Sequence, residues 1–233
     1  MKSTVLVFGA FLYAVAPGLA STYSATGDFG STNPSGAWSY GQAAQSNLNS
    51  LGASFSLLPT YAANCALGGG FLADCWIGTA FISSPNGTFD TGTVNYLAGY
   101  LNLHPGVDGT LAIVRFTALI TGSYTFLGQW MDDDIVSGNG VDLYARLGDG
   151  TDLLTSAEHV PNWRSTPLGI SFTQSLTAGQ SVYFAVGANG EYTFDSVGLQ
   201  LNVTGPSPAP EPGTVLLVGL SSAALWFKRR RTN

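Results

Sequence analysis

The last part of the chain alternates apolar and polar positions with a period of two. Every second residue of segment 197–204 is apolar: Val197, Leu199, Leu201 and Val203. Successive side chains of a strand point to opposite faces of a sheet, so this alternation predicts a half-buried antiparallel strand. Between residues 21 and 204, which we call the body, no segment keeps a helical period over twelve residues. The pattern therefore predicts strands throughout the body.

Turn-forming dipeptides separate the other apolar runs of the body. Asn86-Gly87, Asp149-Gly150 and Asn189-Gly190 tolerate the positive φ angles of a tight turn, so each predicts a hairpin. Gly122-Ser123 marks a further turn between two strands. Counting the runs gives about eight to ten strands between residues 25 and 204, with no internal repeat. The pattern predicts an all-β fold, an antiparallel β-sandwich of the jelly-roll type, with an up-and-down barrel as the alternative.

The composition places this fold outside the cytosol and away from nucleic acids. The chain holds 30 glycines and only 9% charged residues, which is typical of short-stranded, turn-rich extracellular proteins. Between Ser21 and Ala209, three residues are basic and thirteen are acidic, a net charge of −10. Such a body repels phosphate backbones, so we expect no nucleic-acid partner.

The N-terminal segment has the three parts of a secretory signal peptide. Lys2 supplies a positive charge, Val5–Val15 is an apolar stretch of the usual length, and Gly18-Leu19-Ala20 puts small residues at the cleavage positions. We expect residues 1–20 to be removed and the protein to be exported. The alternative, an N-terminal membrane anchor, is less favoured because the apolar run is short.

Export predicts a structural role for the two cysteines. Cys65 and Cys75 are the only pair in the chain and lie ten positions apart. An oxidising compartment favours a local disulfide between them, and a loop of this length would stabilise the fold by about 2 to 3 kcal/mol. Two free buried thiols are the alternative.

Four prolines mark the end of the body: Pro206, Pro208, Pro210 and Pro212. They predict a stiff, extended linker over residues 205–213. From Thr214 to Phe227 no residue is charged, and as a helix this segment would span about 21 Å of a hydrocarbon core of about 30 Å. Local bilayer thinning would let so short a helix cross. Segment 214–233 thus predicts a short transmembrane helix with a basic tail.

The basic tail predicts the orientation of that helix. Its four cations are Lys228, Arg229, Arg230 and Arg231. Cations of this kind remain on the cytoplasmic side and can snorkel to the interface. We expect the body to lie outside the inner membrane, held there before processing by the C-terminal helix.

The segment "PEPGTVLLVGLSSAALWFKRRR" resembles the PEP-CTERM sorting signal of exported bacterial proteins. The resemblance rests on Pro210, Glu211 and Pro212, followed by the apolar helix and the Arg-rich end. It implies recognition by a membrane-embedded exosortase and release or transfer near the Pro-Glu-Pro motif. The mature protein would then be displayed on the cell surface or in an extracellular polysaccharide matrix.

The body is similar to the carbohydrate-binding-like jelly-roll domains that often precede such a tail. This similarity rests on three sequence segments: "NPSGAWSYG", "LHPGVDGTLAIVRFTALITGSYTFLGQW" and "FAVGANGEYTFDSVGLQLNV". The similarity implies a sandwich fold and an association with carbohydrate. It implies no catalytic residues.

An acidic segment is the first candidate site. It offers hard oxygen ligands of the class that calcium takes: Asp132, Asp133, Asp134, Asn139 and Asp142. One hypothesis is a calcium ion that ties this segment between two strands. A solvated acidic turn is the alternative, since the EF-hand pattern is absent.

Aromatic residues form the second candidate site, because sugar rings stack on them while polar side chains bond the hydroxyls. The candidates are Trp38, Trp130, Trp163 and Tyr192. Trp163 lies in the polar stretch "PNWRSTP" and is the one we most expect to be exposed. Trp38 and Tyr40 share one face, and if that face is the inner one they fill the core.

Few residues point to catalysis. The chain has two histidines and lacks the nucleophile-elbow, zinc-protease and phosphate-loop motifs. We therefore predict a non-enzymatic surface or matrix protein, with no cofactor other than the calcium ion of the hypothesis above. The competing hypothesis is a secreted glycan hydrolase or lyase that uses paired carboxylates of segment 132–142, together with Glu158.

Overall fold

The computed structural model describes residues 20–136, 138–154, 157–160 and 166–207, and of 157–160 the backbone alone. Residues 1–19 of the predicted signal peptide, which ends at Ala20, and the predicted membrane helix lie outside these residues. Within the described part, no helix has the length and apolar character needed to cross a bilayer. Residues 20–206 form one compact unit, which contains all the strands given below.

The compact unit is built almost wholly from strands. They are β1 (Ser21–Ser24), β2 (Trp38–Ala44), β3 (Ser56–Leu57), β4 (Thr60–Gly68), β5 (Phe71–Ile77), β6 (Phe81–Pro85), β7 (Phe89–Asp90), β8 (Asn95–Tyr96), β9 (Leu101–His104), β10 (Thr110–Thr117), β11 (Gly122–Asp132), β12 (Val141–Leu147), β13 (Ala157–Val160), β14 (Leu168–Leu176), β15 (Ser181–Ala188) and β16 (Val197–Gly205). A 3₁₀ helix, Gln45–Ser50, runs into a single α-helical turn, α1 (Leu51–Ser54). The strands outnumber the predicted eight to ten because six of them, β1, β3, β7, β8, β9 and β13, are at most four residues long and form no clear apolar run in the sequence.

Two antiparallel sheets hold nearly all of these strands. The first sheet has the order β14-β11-β16-β9-β6-β5-β4, with β1 also paired to β16. The second sheet has the order β13-β12-β15-β10-β2-β3, and β7 and β8 form a separate ribbon. From β9 onward, consecutive strands alternate between the two sheets except at β12 and β13. This alternation favours the predicted jelly-roll winding.

The core lies between the two sheets. Phe116 of the second sheet packs edge-on against Tyr124 and Phe126 of the first, with ring centroids 5.4 and 5.5 Å apart. Trp38 and Tyr23 contact the same ring at 5.2 and 5.3 Å. Buried apolar residues of both sheets form one continuous cluster. The all-β sandwich predicted from the alternation is therefore confirmed.

A smaller apolar cluster covers the outer face of the second sheet. Leu111 and Ile113 of β10 point outward there, opposite to the residues that enter the main core. Leu51 of α1 packs on them, with Leu48 and Phe55 at its edge. The helical segment after β2 thus closes the sheet face that would otherwise be exposed.

The structure corrects three of the predicted turns. The strand before Asn86-Gly87, β6, pairs with β5 and β9 and not with the strand that follows. After Asn189-Gly190 no strand forms until Val197. Gly122 and Ser123 are not a turn but the first residues of β11, and the connection over residues 118–121 joins β10 to a strand of the other sheet. A period of two marks strands but cannot tell a hairpin from a crossover between sheets.

Two local predictions match the structure. At Asp149-Gly150 the backbone folds back on itself, with Leu147 N donating to Thr151 O at 2.9 Å. Cys65 of β4 and Cys75 of β5 are joined by a disulfide, with Cα atoms 6.1 Å apart. This is the pairing that the sequence predicts, and it ties an edge strand to its neighbour.

Candidate functional site

Two of the predicted stacking residues are core residues. Trp38 is 0% exposed and lies in the main core, where its Nε1 donates to Asp28 Oδ2 at 3.1 Å. Trp130 is 3% exposed and lines a largely apolar cavity of about 300 Å³ with Leu143 and Leu168. The prediction that these two rings stack on sugars at the surface is wrong. Both sit at strand positions that face the opposite sheet, where apolar burial outweighs exposure.

The other two predicted stacking residues are Trp163 and Tyr192. Trp163 lies outside the described residues. Tyr192 is 42% exposed and follows the turn that ends β15. It is the one predicted aromatic that the described structure presents to solvent.

The acidic residues after β11 are buried and turn toward different partners. Asp133 Oδ2 accepts from Asn102 Nδ2 at 2.9 Å, and Asp134 Oδ2 accepts from the backbone N of Ser196 at 2.6 Å. Asp132 Oδ1 accepts from the backbone N of Asp134 at 3.1 Å. All three side chains are less than 9% exposed. The predicted solvated acidic turn is therefore wrong, because these carboxylates bond backbone and side-chain donors at the end of a sheet.

The remaining predicted calcium ligands also turn elsewhere. Asp142 Oδ2 accepts from Gln45 Nε2 at 2.9 Å. The side-chain amide of Asn139 donates to the carbonyl of Asn189, whose own amide donates to the carbonyl of Asn139 at 3.0 Å. Among the described residues, no group of three or more His, Cys, Asp or Glu is arranged to hold a metal ion. The calcium hypothesis gains no support from this geometry.

A groove opens at the end of the second sheet, beside Tyr192. Here β2 ends, β10 begins, β12 begins and β15 ends, so four connections meet. The cavity measures about 540 Å³ and is lined by Gln45, Val107, Gly109, Asp142, Ala188, Asn189, Gly190, Glu191 and Tyr192. We call it the Tyr192 groove. Its size suits one or two sugar-sized groups.

The aromatic wall of the groove is fixed by a neighbour. The ring of His104, at the end of β9, meets the Tyr192 ring edge-on at 6.2 Å. His104 is itself held by a 2.8 Å hydrogen bond between its Nδ1 and the Pro105 carbonyl. Burial lowers the pKa of His104, so the imidazole is neutral near pH 7. Tyr192 thus packs against a partly buried, uncharged ring.

The polar floor of the groove is also held in place. Gln45 stands at the start of the 3₁₀ helix and reaches across to Asp142 at the start of β12. Gly187 makes room for it: a Cβ there would lie 3.4 Å from Gln45 Oε1 and 2.9 Å from Leu111 Cδ2. The two reciprocal Asn139–Asn189 bonds tie the loop after β11 to the loop after β15.

The loop that carries Tyr192 is strained. Gly190 adopts φ 87°, which glycine accepts readily, but Phe194 adopts φ 65°. A bulky residue in this region is an outlier, and such outliers cluster at functional sites. The strain accompanies a sharp change of direction just before β16 enters the first sheet.

A buried carboxyl group stands at the end of the same loop. Asp195 is 0% exposed, and neither of its oxygens has a hydrogen-bond partner among the described residues. Burial first, and then the charges of Asp134, Glu191 and Asp142, raise the pKa of Asp195 to about 8. The group is therefore largely protonated at neutral pH.

Sequence reasoning missed most of the groove. It named Asp142 and Tyr192 but not Gln45, Glu191 or Asp195. The Asn189-Gly190 dipeptide signalled the turn. Nothing in a one-dimensional pattern signalled that this turn meets residues 45, 107–109 and 142, which lie far apart along the chain.

Several solved structures have a weak similarity to this chain. A family 35 carbohydrate binding module from Clostridium thermocellum is 18% identical over 53% of this chain and 90% of its own, with a TM-score of 0.32. A cyclase from Fischerella sp. TAU is 14% identical over 82% of this chain and 100% of its own, with a TM-score of 0.38. CBM35 from Paenibacillus barcinonensis is 13% identical over 80% and 98%, with a TM-score of 0.23. Likenesses this weak decide nothing about activity.

The sequence comparisons concern the C-terminal segment. No curated protein matches this chain in sequence. Residues 208–231 match the PEP-CTERM protein-sorting motif. This match confirms the predicted sorting signal and indicates an exported, envelope-associated protein whose tail is a substrate for exosortase.

Proposed function

We propose that this protein is an exported, non-enzymatic carbohydrate-binding sandwich that the PEP-CTERM signal delivers to the cell surface or extracellular matrix. The Tyr192 groove is the observation that carries the carbohydrate part of the proposal. The sorting motif carries the export part. The groove combines an exposed aromatic ring with fixed polar groups, the two features by which proteins recognise sugars.

The first of these is an exposed aromatic ring beside an apolar side chain. Tyr192 is 42% exposed and Val107 is 67% exposed, and both line the same cavity. The C–H face of a sugar ring packs on an aromatic face, and burying that face removes apolar area from water. Tyr192 is already held by His104, so little conformational entropy is lost on binding.

The second is a set of fixed polar groups around the ring. Gln45, Asn189, Asp142 and Glu191 supply amide and carboxylate groups along the walls. Three of them are already hydrogen-bonded to protein groups, which holds them in one arrangement. Such groups can bond the hydroxyls of a sugar while the ring stacks, which gives orientation and specificity.

The tail would complete the pathway to the surface. Pro210, Glu211 and Pro212 would mark the processing site, and the apolar segment that follows would hold the chain in the inner membrane until exosortase acts. The cluster from Lys228 to Arg231 would keep the C-terminus cytoplasmic. Replacing Glu211 with Ala should leave the precursor uncut in membranes, whereas wild type yields a shorter, displayed form on a blot. Equal processing of both forms would contradict this role of the motif.

The binding proposal is tested by calorimetric titration of the full chain in mild detergent with neutral oligosaccharides. We expect wild type to bind at least one of them and Tyr192→Ala to lose about tenfold or more in affinity. Leu127→Ala is the matched control, because Leu127 is 53% exposed on β11 and lies outside the groove. The proposal would be refuted if no oligosaccharide bound, or if both variants lost affinity equally.

A second candidate function, glycan hydrolysis, is favoured by one observation. Two carboxylates, Asp142 and Glu191, line the same open cavity, and glycosidases act through such a pair. Release of new reducing ends from a bound oligosaccharide would support this candidate. That release should disappear in Glu191→Gln. Stable binding with no new reducing ends after prolonged incubation would favour the binding function.

A further inference from the structure

We propose that two copies of this protein associate side by side through β14, so that the first sheet continues from one copy into the other. β14 is an edge strand of that sheet, and among the strands that the structure describes only β11 lies beside it. The inference is independent of the carbohydrate binding proposed above. It follows from the regularity of this edge, from its lack of charge and from the apolar area beside it.

The free edge of β14 is long and regular. Nine residue pairs join β14 to β11 without a register shift, from Gly122↔Leu176 to Trp130↔Leu168. In an antiparallel strand about every second residue points its N–H and C=O away from such a partner. In the described part of the chain, these outer groups of β14 bond to no backbone group of another element. They form a continuous row of donors and acceptors, which is a template for another strand.

The other sheet edges are short or irregular. β1, β3 and β13 are at most four residues long. β4 is as long as β14, but its pairing with β5 has two register shifts, and Asn64 within it adopts φ 55°. Short strands, bulges, prolines and charged side chains are the usual devices that prevent edges from pairing. The nine residues of β14, "LGISFTQSL", contain no proline and no charged residue, so this edge is the unprotected one.

Charge favours a second copy of the chain at this place. The body has a net charge of −10, so two copies repel one another over most of their surfaces. β14 and the nine residues of β11 that pair with it carry no charge. Their outer face presents hydroxyl groups: Ser171, Thr173 and Ser175 are exposed, and the hydroxyls of Thr125 and Thr173 lie 3.1 Å apart. Two copies can therefore meet here without bringing like charges together.

The edge also matches its own copy in the antiparallel direction. In a pair centred on Phe172, this ring faces Phe172 of the second copy. Ser171 then faces Thr173 of the second copy, and Leu168 faces Leu176. These contacts join hydroxyl to hydroxyl and apolar to apolar side chains, and cross-strand pairs of this kind stabilise a sheet. Because the contact is two-fold and uses the same strand of both copies, it closes at the dimer.

Apolar area beside the edge would be covered by the same contact. Phe172 and Leu168 pack against the main core but are only partly buried. The ring of Phe172 stacks on Phe126 at 4.7 Å, toward β11 and away from the free edge. A strand added to β14 lies next to the exposed part of both side chains and removes it from water. One strand edge is a small interface, so we expect a dissociation constant of micromolar order.

Light scattering of the full chain in mild detergent, with the detergent mass subtracted, tests the inference. We expect wild type to pass from monomer to dimer as its concentration rises through the micromolar range. Two double variants place charge on the edge: Ser171→Lys with Thr173→Lys, and Ser171→Glu with Thr173→Glu. Each sets like charges opposite one another in the pair, so each alone should dimerise about tenfold or more weakly. An equimolar mixture of the two should dimerise again, because lysine then faces glutamate.

Asn202→Lys with Thr204→Lys is the matched control. Both residues are exposed on the outer face of β16, two strands away from the edge, so this variant gains the same charge and should dimerise like wild type. A wild type that stays monomeric, or a dimer that the edge variants and the control weaken equally, would overturn the proposal. Melting temperatures close to that of wild type check that the edge variants fold. A mixture of the folded edge variants that stays monomeric would overturn the proposal as well.

Discussion

The buried carboxyl of Asp195 should make the stability of the body depend on pH. In the unfolded chain this group loses its proton near pH 3.8, whereas in the folded chain its pKa is raised to about 8, by burial first. Between these values the folded state holds one more proton than the unfolded state. The free energy of unfolding therefore falls as pH rises from about 4 to 8. The stabilisation is complete below pH 4 and lost above pH 8.

The magnitude follows from the two pKa values. They differ by about four pH units, and each unit is worth about 1.4 kcal/mol, so the full effect is about 6 kcal/mol. Relaxation of the site around the charged carboxylate reduces this effect. We expect the free energy of unfolding to fall by about 2 to 6 kcal/mol between pH 4.5 and 9. The free energy of unfolding of a small domain is about 5 to 15 kcal/mol in total. The effect is large enough to measure directly.

Chemical denaturation of wild type and Asp195→Asn at pH 4.5, 7 and 9 would measure this pH dependence of the free energy of unfolding. The amide is uncharged at every pH, so the variant should be close to wild type at pH 4.5 and clearly more stable than wild type at pH 9. Asp149→Asn is the control: Asp149 is exposed, and hydrogen bonds from Thr151 lower its pKa, so it does not titrate in this range. A difference between wild type and Asp195→Asn that is the same at all three pH values would refute the reasoning.

Three further predictions concern the framework. Phe116→Ala should lower the free energy of unfolding by about 3 to 5 kcal/mol, measured by urea titration, because four aromatic rings pack on Phe116; a loss below 1 kcal/mol would contradict its central place. Reducing the Cys65–Cys75 disulfide should cost about 2 to 3 kcal/mol, and a melting temperature unchanged by reductant would contradict this. Gly128→Ala should yield insoluble or strongly destabilised protein, since its Cβ would lie 2.1 Å from the carbonyl oxygen of Gln200; normal yield and melting temperature would show that the strands can separate.

The fold class was predictable because it depends on local chemistry. Alternation such as that of segment 197–204 reports which face of a strand is buried, and β16 keeps this pattern with Val197, Leu199 and Leu201 fully buried. The disulfide was predictable because Cys65 has a single partner available. The sorting motif was predictable because it is read as a linear sequence.

The pairing of the strands was less predictable. The dipeptide Asn189-Gly190 has the composition of a hairpin turn, yet the chain after it runs irregularly to Val197 and enters the other sheet. The turn residues set only the local φ angles. Which strand the chain then pairs with is decided by the burial of both sheet faces, and this is a property of the whole domain.

The sequence by itself determined an exported, acidic, all-β body with a local disulfide and a C-terminal sorting signal, since composition, period and short motifs carry each of these. Only the tertiary structure decided which aromatic residues are available to a ligand. Trp38 and Tyr192 are equally aromatic in sequence, but strand alternation buries the first in the core and a strained loop exposes the second. The Tyr192 groove likewise exists only because the ends of four strands bring distant residues together.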